Sequence, residues 1–425
     1  MVTKEKQIYV YESWSTNEPI FMGTIHVDNV RGFESFSFEY DETWLKKAKK
    51  KVKQSILDPN LFFYRSRQYP QKQGLFGIFL DSCPDRWGQL LMKRKEAIQA
   101  RKEDRKPKKL TQTDFLLGVY DETRMGALRF KKNKDGPFLS DDENEAVPPW
   151  TMLQDLEEAS RGFEMSDDKD EEKWLQLLIK PGSSLGGARP KATVRDTEGN
   201  LWIAKFPSKH DENDTGAWEK VTSDLARLCG LNVPETKSIK FSSLGHTFLT
   251  KRFDREGCQR IHFSSAMTLL GKMDEAPTQD SSSYMDIIDF IKSYGANPKK
   301  DTEELWKRII FNMAVSNTDD HLRNHGFLLK ERGWTLSPLY DVNPIPYGEG
   351  LSLNVSTTDN TICIDTLLEF ARLVYIDEKE AVQDIQFICE LVKKNWEKLA
   401  FNIGISQESI SKMRQAFDFA EQNSF

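Results

Sequence analysis

Three early stretches of the chain read as strands from their β-rich composition or alternation. They are Ile8 to Tyr11, Phe21 to Ile25, and Phe33 to Tyr40, where phenylalanines recur with period two. From Asp85 to Lys102 the spacing becomes helical and predicts one side carrying Trp87, Leu90, Leu91 and Ile98. Residues 1–110 therefore read as a small α+β module. Two acidic segments follow, around Asp141 to Pro149 and Asp167 to Glu172. Dense like charge resists burial, so both are expected as surface loops or linkers.

Strand character returns with Lys191 to Val194 and Leu201 to Phe206, which flank the turn-forming run Asp196-Thr197-Glu198-Gly199-Asn200 and predict a hairpin. A helix is expected from Ala217 to Cys229, stopped by Gly230, and then strands near Lys237 to Phe241 and His246 to Phe253. Beyond residue 260 helical spacing dominates: Thr302 to Ser316 with Thr302 as N-cap, then Asp365 to Val374 and Glu380 to Leu399. The chain thus reads as α+β, a β-rich lobe over 111–258 followed by a helical lobe over 259–425, with the module 1–110 ahead of them. A cleft between two such lobes is a natural ligand site. No internal repeat is visible.

At 425 residues the chain has length for two to three units of about 150 residues each. Apolar residues make up 38% and charged residues 30%, the balance of a globular protein rather than a disordered one. The net charge of −6 points to no particular partner, and the basic runs Lys46 to Lys53 and Arg101 to Lys109 read as solvated helix faces. Without an apolar run of about 18 residues no membrane span is expected, and the start Met1 to Ile8 lacks the apolar core of a signal peptide. The cysteines at 83, 229, 258, 363 and 389 are dispersed, which favours free thiols in a reducing compartment over a disulfide or zinc framework.

Four segments carry candidate chemistry. The run Gly182-Ser183-Ser184-Leu185-Gly186-Gly187-Ala188-Arg189-Pro190-Lys191 precedes a strand, and its glycines would let backbone N–H groups approach a phosphate. Its spacing matches neither a Walker A loop nor a dinucleotide fingerprint, and taken alone it reads as a turn. Lys205 is a lone lysine in an apolar strand, suited either to ligand phosphates or to the solvent face. In Asn317-Thr318-Asp319-Asp320-His321-Leu322-Arg323-Asn324-His325, Asp319 and Asn324 are five apart, the spacing of a kinase catalytic aspartate and its metal-binding asparagine. The carboxylate can orient a hydroxyl, and the amide oxygen is a hard ligand suited to Mg²⁺. His321 and His325 raise a zinc alternative, but Leu322 stands where a zinc hydrolase motif needs glutamate. Asp341, in Tyr340-Asp341-Val342-Asn343-Pro344, follows Asp319 by 22 residues across an expected hairpin, as a kinase's second metal aspartate does.

In this order the segments resemble the HipA family of bacterial Ser/Thr kinase toxins. The serine-bearing Gly-rich loop, the D-D-H-x-x-N loop at 319–324 and the Y-D-x-x-P segment at 340–344 carry the resemblance. So do Pro84-Asp85-Arg86-Trp87-Gly88 and Thr250 to Arg255, which is similar to the family's interlobe hinge. The resemblance implies a two-lobed, protein-kinase-like fold with an extra N-terminal module, ATP and Mg²⁺ as cofactors, and a cytoplasmic bacterial enzyme. It implies Asp319 as catalytic residue, and Asn324 and Asp341 on the metal. On the nucleotide it implies Ser184, Gly186, Gly187, Lys191, Lys205, Lys251, Phe253, His321, Asn324, Tyr340 and Asp341, with the adenine edge on the backbone of Lys251 to Phe253 and Ser184 as a regulatory autophosphorylation site. The implied partners are a protein substrate of translation, such as an aminoacyl-tRNA synthetase, and a small helix-turn-helix antitoxin through which DNA is reached indirectly. The chain departs from the family where Phe263-Ser264-Ser265 replaces an acidic, glutamine-bearing run and where Lys251 replaces a carboxylate. A kinase of a lipid or small metabolite, or a nucleotide-binding regulator without catalysis, are the alternatives.

Overall fold

The early strand-like stretches form one antiparallel sheet. Strands Lys6–Glu12, Ile20–Val30 and Phe33–Tyr40 pair in sequence, and Leu128–Lys131, beyond residue 110, pairs with the free side of the first. One face buries Ile8, Val10, Ile25, Val27 and Phe38, each such side chain stabilising by about 1.5–3 kcal/mol. The computed structural model describes residues 5–30, 32–51, 56–139, 147–165, 171–179, 187–272, 282–356 and 358–424. It divides into two units. The first comprises Met1–Lys209, Lys251–Ser264 and Leu328–Gly333, and the second His210–Thr250, Ser265–Phe327 and Trp334–Phe425.

In the first unit the predicted helix forms as Arg86–Lys102, capped by Asp85, whose carboxylate accepts from the backbone N–H of Gly88 at 2.8 Å. Trp87 and Leu91 pack with Ala159 and Phe163 of helix Leu153–Met165 and with Leu175 and Leu178 of helix Glu171–Ile179. Leu90, expected on that side, is 39% exposed. It lies about 100° around the helix from Leu91, outside the stripe that the two partner helices cover. Glu171 and Glu172, expected in a linker, open a helix instead, because Trp174, Leu175 and Leu178 behind them give the segment an apolar face to bury. Residues 140–146 and 166–170 of the two acidic segments lie outside the described residues. The hairpin of Lys191–Arg195 and Leu201–Lys205 forms as predicted.

In the second unit, helix Thr215–Leu228 is capped by Asp214 and ends before Gly230, whose φ of +79° suits glycine. A hairpin of Thr236–Ser242 and Gly245–Lys251 follows. The long central helix spans Pro298–Ala314 and so begins four residues before Thr302, which is not its cap. Asn297-Pro298 is the earlier start signal, since proline's missing N–H costs nothing at the first helical position. Helices Ile364–Leu373 and Glu378–Asn402 complete the packing: Trp306 stacks on Phe370 and donates to Asp384 at 2.9 Å, and Trp396 stacks on Phe417 with centroids 4.2 Å apart. Among the described residues no helix is long and apolar enough to cross a membrane.

Candidate functional site

Where helix Pro298–Ala314 stops, the chain turns sharply. Ser316 adopts φ +49°, a left-handed conformation that side chains other than glycine rarely take. The loop then closes on itself: the side-chain amide of Asn324 donates to the carbonyl oxygen of Asp319 at 3.1 Å, and its backbone N–H donates to that of His321 at 2.8 Å. His321 and His325 are not on a helix, so their spacing does not put them on one helix face.

Beneath the loop sits Asp320, 1% exposed. Its Oδ2 accepts from the Tyr284 hydroxyl and from the Asn312 amide (2.9 Å), and lies 2.7 Å from Nε2 of His325. Asn312 also accepts from the Asn317 side chain at 3.0 Å. Burial, and after it the Asp320 carboxylate, pushes the Tyr284 phenol well above its ordinary range, which keeps its proton in place as a donor. A buried carboxylate met on several sides is a rigid anchor, and here it fixes the backbone between Asp319 and Asn324.

The segment bearing Asp341 is tied to the same loop by three bonds. The Tyr340 hydroxyl donates to the carbonyl oxygen of Arg323 at 2.7 Å, the Asn343 N–H to the side-chain oxygen of Asn317 at 3.2 Å, and the Ile345 N–H to the carbonyl of Ser316 at 3.1 Å. Asp341 itself has φ +59°. Among the described residues, four non-glycine residues have positive φ, and two of them, Ser316 and Asp341, mark these two segments. Such strain persists only where surrounding structure over-determines it, and it gathers at functional sites.

The donor set fits a divalent cation. Asn324 spends its amide nitrogen on Asp319, which leaves its oxygen for a cation, and Asp341 supplies a carboxylate from the segment bonded to that loop. Amide and carboxylate oxygens with few protein ligands are what Mg²⁺ takes.

The other predicted residues lie in the first unit. Lys191 and Lys205 are paired across the hairpin, so their side chains leave on one face, and both are buried. Lys205 is 8% exposed, which rules out the solvent face. Lys191 reaches back to Asp85 with a buried ion pair of 2.8 Å and also donates to the carbonyl of Gly187 at 3.0 Å. It is thus a brace for the end of the Gly-rich run. Ser184 and Gly186 lie outside the described residues. Of the expected hinge, the Arg252 N–H is already committed to the carbonyl of Leu201 at 2.9 Å, with Lys251 and Phe253 on either side. His262, just beyond, is buried and stacks on Trp14 at 4.5 Å between centroids.

Sequence reasoning assigned no role to Tyr284, Asn312 and Asp320 around the loop, nor, in the first unit, to Asp85. Asn312 had a signal: a polar residue on the buried Ile309–Met313 face of a helix calls for a buried partner.

The sequence matches the HipA-like C-terminal domain family over residues 183–396, just over half of the chain. The chain belongs to this family, a family of HipA-like kinases. Among curated relatives, the protein Y4dM of Sinorhizobium fredii, whose name places it among kinases, is 24% identical over 316 residues, covering 69% of this chain and 72% of its own length. A protein of Haemophilus influenzae with a similar name is 29% identical over 201 residues, 41% of this chain and 57% of that one. Among solved structures, HipA of Shewanella oneidensis, in a complex with HipB and operator DNA, is similar over 95% of both chains with a TM-score of 0.65 and 16% identity. That likeness shows the fold and bears out the expected α+β, kinase-like class.

Proposed function

We propose that the protein is an ATP- and Mg²⁺-dependent Ser/Thr protein kinase of the HipA toxin type. The observation that carries this reading is the set of bonds holding residues 340–345 against the loop 316–323, which brings the segments of Asp319, Asn324 and Asp341 into one cluster. In this reading Asp319 orients the substrate hydroxyl, and Asn324 and Asp341 hold the metal. Bound Mg²⁺ would neutralise charge on the transferred phosphoryl group. Lys205, Gly187 and the run around Ser184 and Gly186 would face the nucleotide phosphates, Lys251 and Phe253 its base, with His321 and Tyr340 lining the catalytic side, while Lys191 acts through Asp85 and Gly187 as a positioning residue. Phosphate on Ser184 would add about −1.5 to −2 charge to the loop and oppose ATP.

The partner in this reading is a small helix-turn-helix antitoxin, with DNA reached through it, a reading supported by the Shewanella HipA solved with HipB and operator DNA. The substrate is a cytoplasmic protein of translation, such as an aminoacyl-tRNA synthetase. The parts are a module at 1–110, a β-rich lobe at 111–258 and a helical lobe at 259–425.

The test is transfer of label from γ-labelled ATP by wild type and Asp319→Ala, with Mg²⁺ and host lysate. A protein band should be labelled by the wild type and fall at least about 100-fold in the variant. Label appearing only in small molecules would overturn the protein-kinase reading.

A further inference from the structure

In the first unit a cavity of about 390 Å³ opens among Ser13, Thr16, Arg129, Glu256, Cys258 and Arg260. Its size is at the lower end of small-molecule sites, roughly 300 to 1,000 Å³. Charge is shared unevenly behind its wall. Asp121 accepts from Arg129 at 2.7 Å and from Arg260 at 2.9 Å. Asp254, fully buried, accepts from Arg252 and Arg255 at 2.6 Å each. Arg124, also fully buried, donates from Nη1 to the carbonyl oxygen of Ser82 and from Nη2 to those of Leu116 and Val119. These arginines outnumber the two buried carboxylates they surround. Burial pulls Arg255 down to about 9 despite Asp254, and Arg124 down to about 10 despite Asp121. A buried cation short of counter-charge is costly, and a bound anion offsets that cost.

Two lining residues carry unmet polar atoms. Among the described residues, Arg260 Nη1 and Ser13 Oγ are buried and have no hydrogen-bond partner. A buried donor left so costs about 1–3 kcal/mol. Both atoms are covered in this conformation, so meeting a ligand takes a turn of each side chain toward the cavity. The acid in the lining, Glu256, is exposed.

We propose that this cavity binds the oxyanion of a small molecule, a phosphate or carboxylate group gripped by the Arg260 guanidinium and steadied by the Ser13 hydroxyl. A guanidinium suits both groups, since its planar fork matches two oxygens at once.

The cavity supplies its own reporter. Cys258 is an exposed free thiol, whereas Cys83, Cys229 and Cys389 are buried and pushed up to about 12 by burial. The full-length protein is alkylated with iodoacetamide at constant ionic strength, with inorganic phosphate or succinate added, and labelling of Cys258 and Cys363 is followed by peptide mass spectrometry. At about twice its Kd, one anion should slow Cys258 about threefold and leave Cys363 unchanged. Protection by phosphate alone names a phosphoryl ligand, and protection by succinate alone a carboxylate. Arg260→Met should abolish the protection. So should Gln259→Glu, which adds a negative charge at an exposed lining residue and keeps the test decisive if the first variant does not fold. Absence of protection by either anion, or full protection in the folded variants, would overturn the site.

Discussion

Lys191 and Lys205 stand directly opposite each other in the register of their hairpin, both buried. Like charges so placed repel, and the repulsion is relieved by Asp85, which pairs with Lys191 across 106 residues of sequence. The same carboxylate caps helix Arg86–Lys102. Asp85→Ala should therefore cost about 3–5 kcal/mol in urea unfolding, because it leaves a buried ammonium unpaired. Adding Lys191→Met should restore part of that loss. A cost below about 1 kcal/mol, as for an exposed pair, would show the brace to be unimportant.

Asp341 separates strain from chemistry. Glycine takes φ +59° freely, so Asp341→Gly should remove the backbone strain at this position and leave the protein folded. Mg²⁺-dependent phosphoryl transfer should nevertheless be lost, as it should when wild type is treated with a chelator. A variant that transfers phosphate at the wild-type rate would remove Asp341 from the metal site.

Asp320 anchors the loop without reaching its surface. Asp320→Ala leaves the Tyr284 hydroxyl and the Asn312 amide without their shared acceptor, each costing about 1–3 kcal/mol. Amide hydrogen exchange should rise across 317–325 and kinase activity should fall with it. Unchanged exchange there would mean that the loop is held by other groups.

Acid should unfold the protein partly through His262. Burial lowers this imidazole from its ordinary 6.5 to about 3, so it is neutral when folded at pH 5. An unfolded chain takes up that proton below about pH 6.5, so stability drops as pH falls from about 6.5 towards 3. Thermal unfolding of His262→Leu should lose less stability between pH 7 and pH 5 than wild type. Equal losses would place the acid sensitivity elsewhere, and Asp254 is not the source in that window, since Arg252 and Arg255 overcome its burial and hold it at about 2.

Local signals carried far in this chain. β-rich composition marked the strands Lys6–Glu12 and Ile20–Val30, alternation marked Phe33–Tyr40, and Gly230 marked a helix end, because each depends only on neighbours a few residues away. Asp319, Asn324 and Asp341 were legible as candidates by spacing alone, from one short motif and a second aspartate 22 positions on. Tertiary structure decided what spacing cannot. It gave Lys191 to Asp85, set Leu90 outside its helix's buried stripe, and buried His262 against Trp14. Most of these outcomes depend on groups far apart in sequence, and a one-dimensional pattern holds no term for whether such groups meet. The arginines around Asp121 and Asp254 come from two segments more than a hundred residues apart, so their shared charge exists only once the chain has folded.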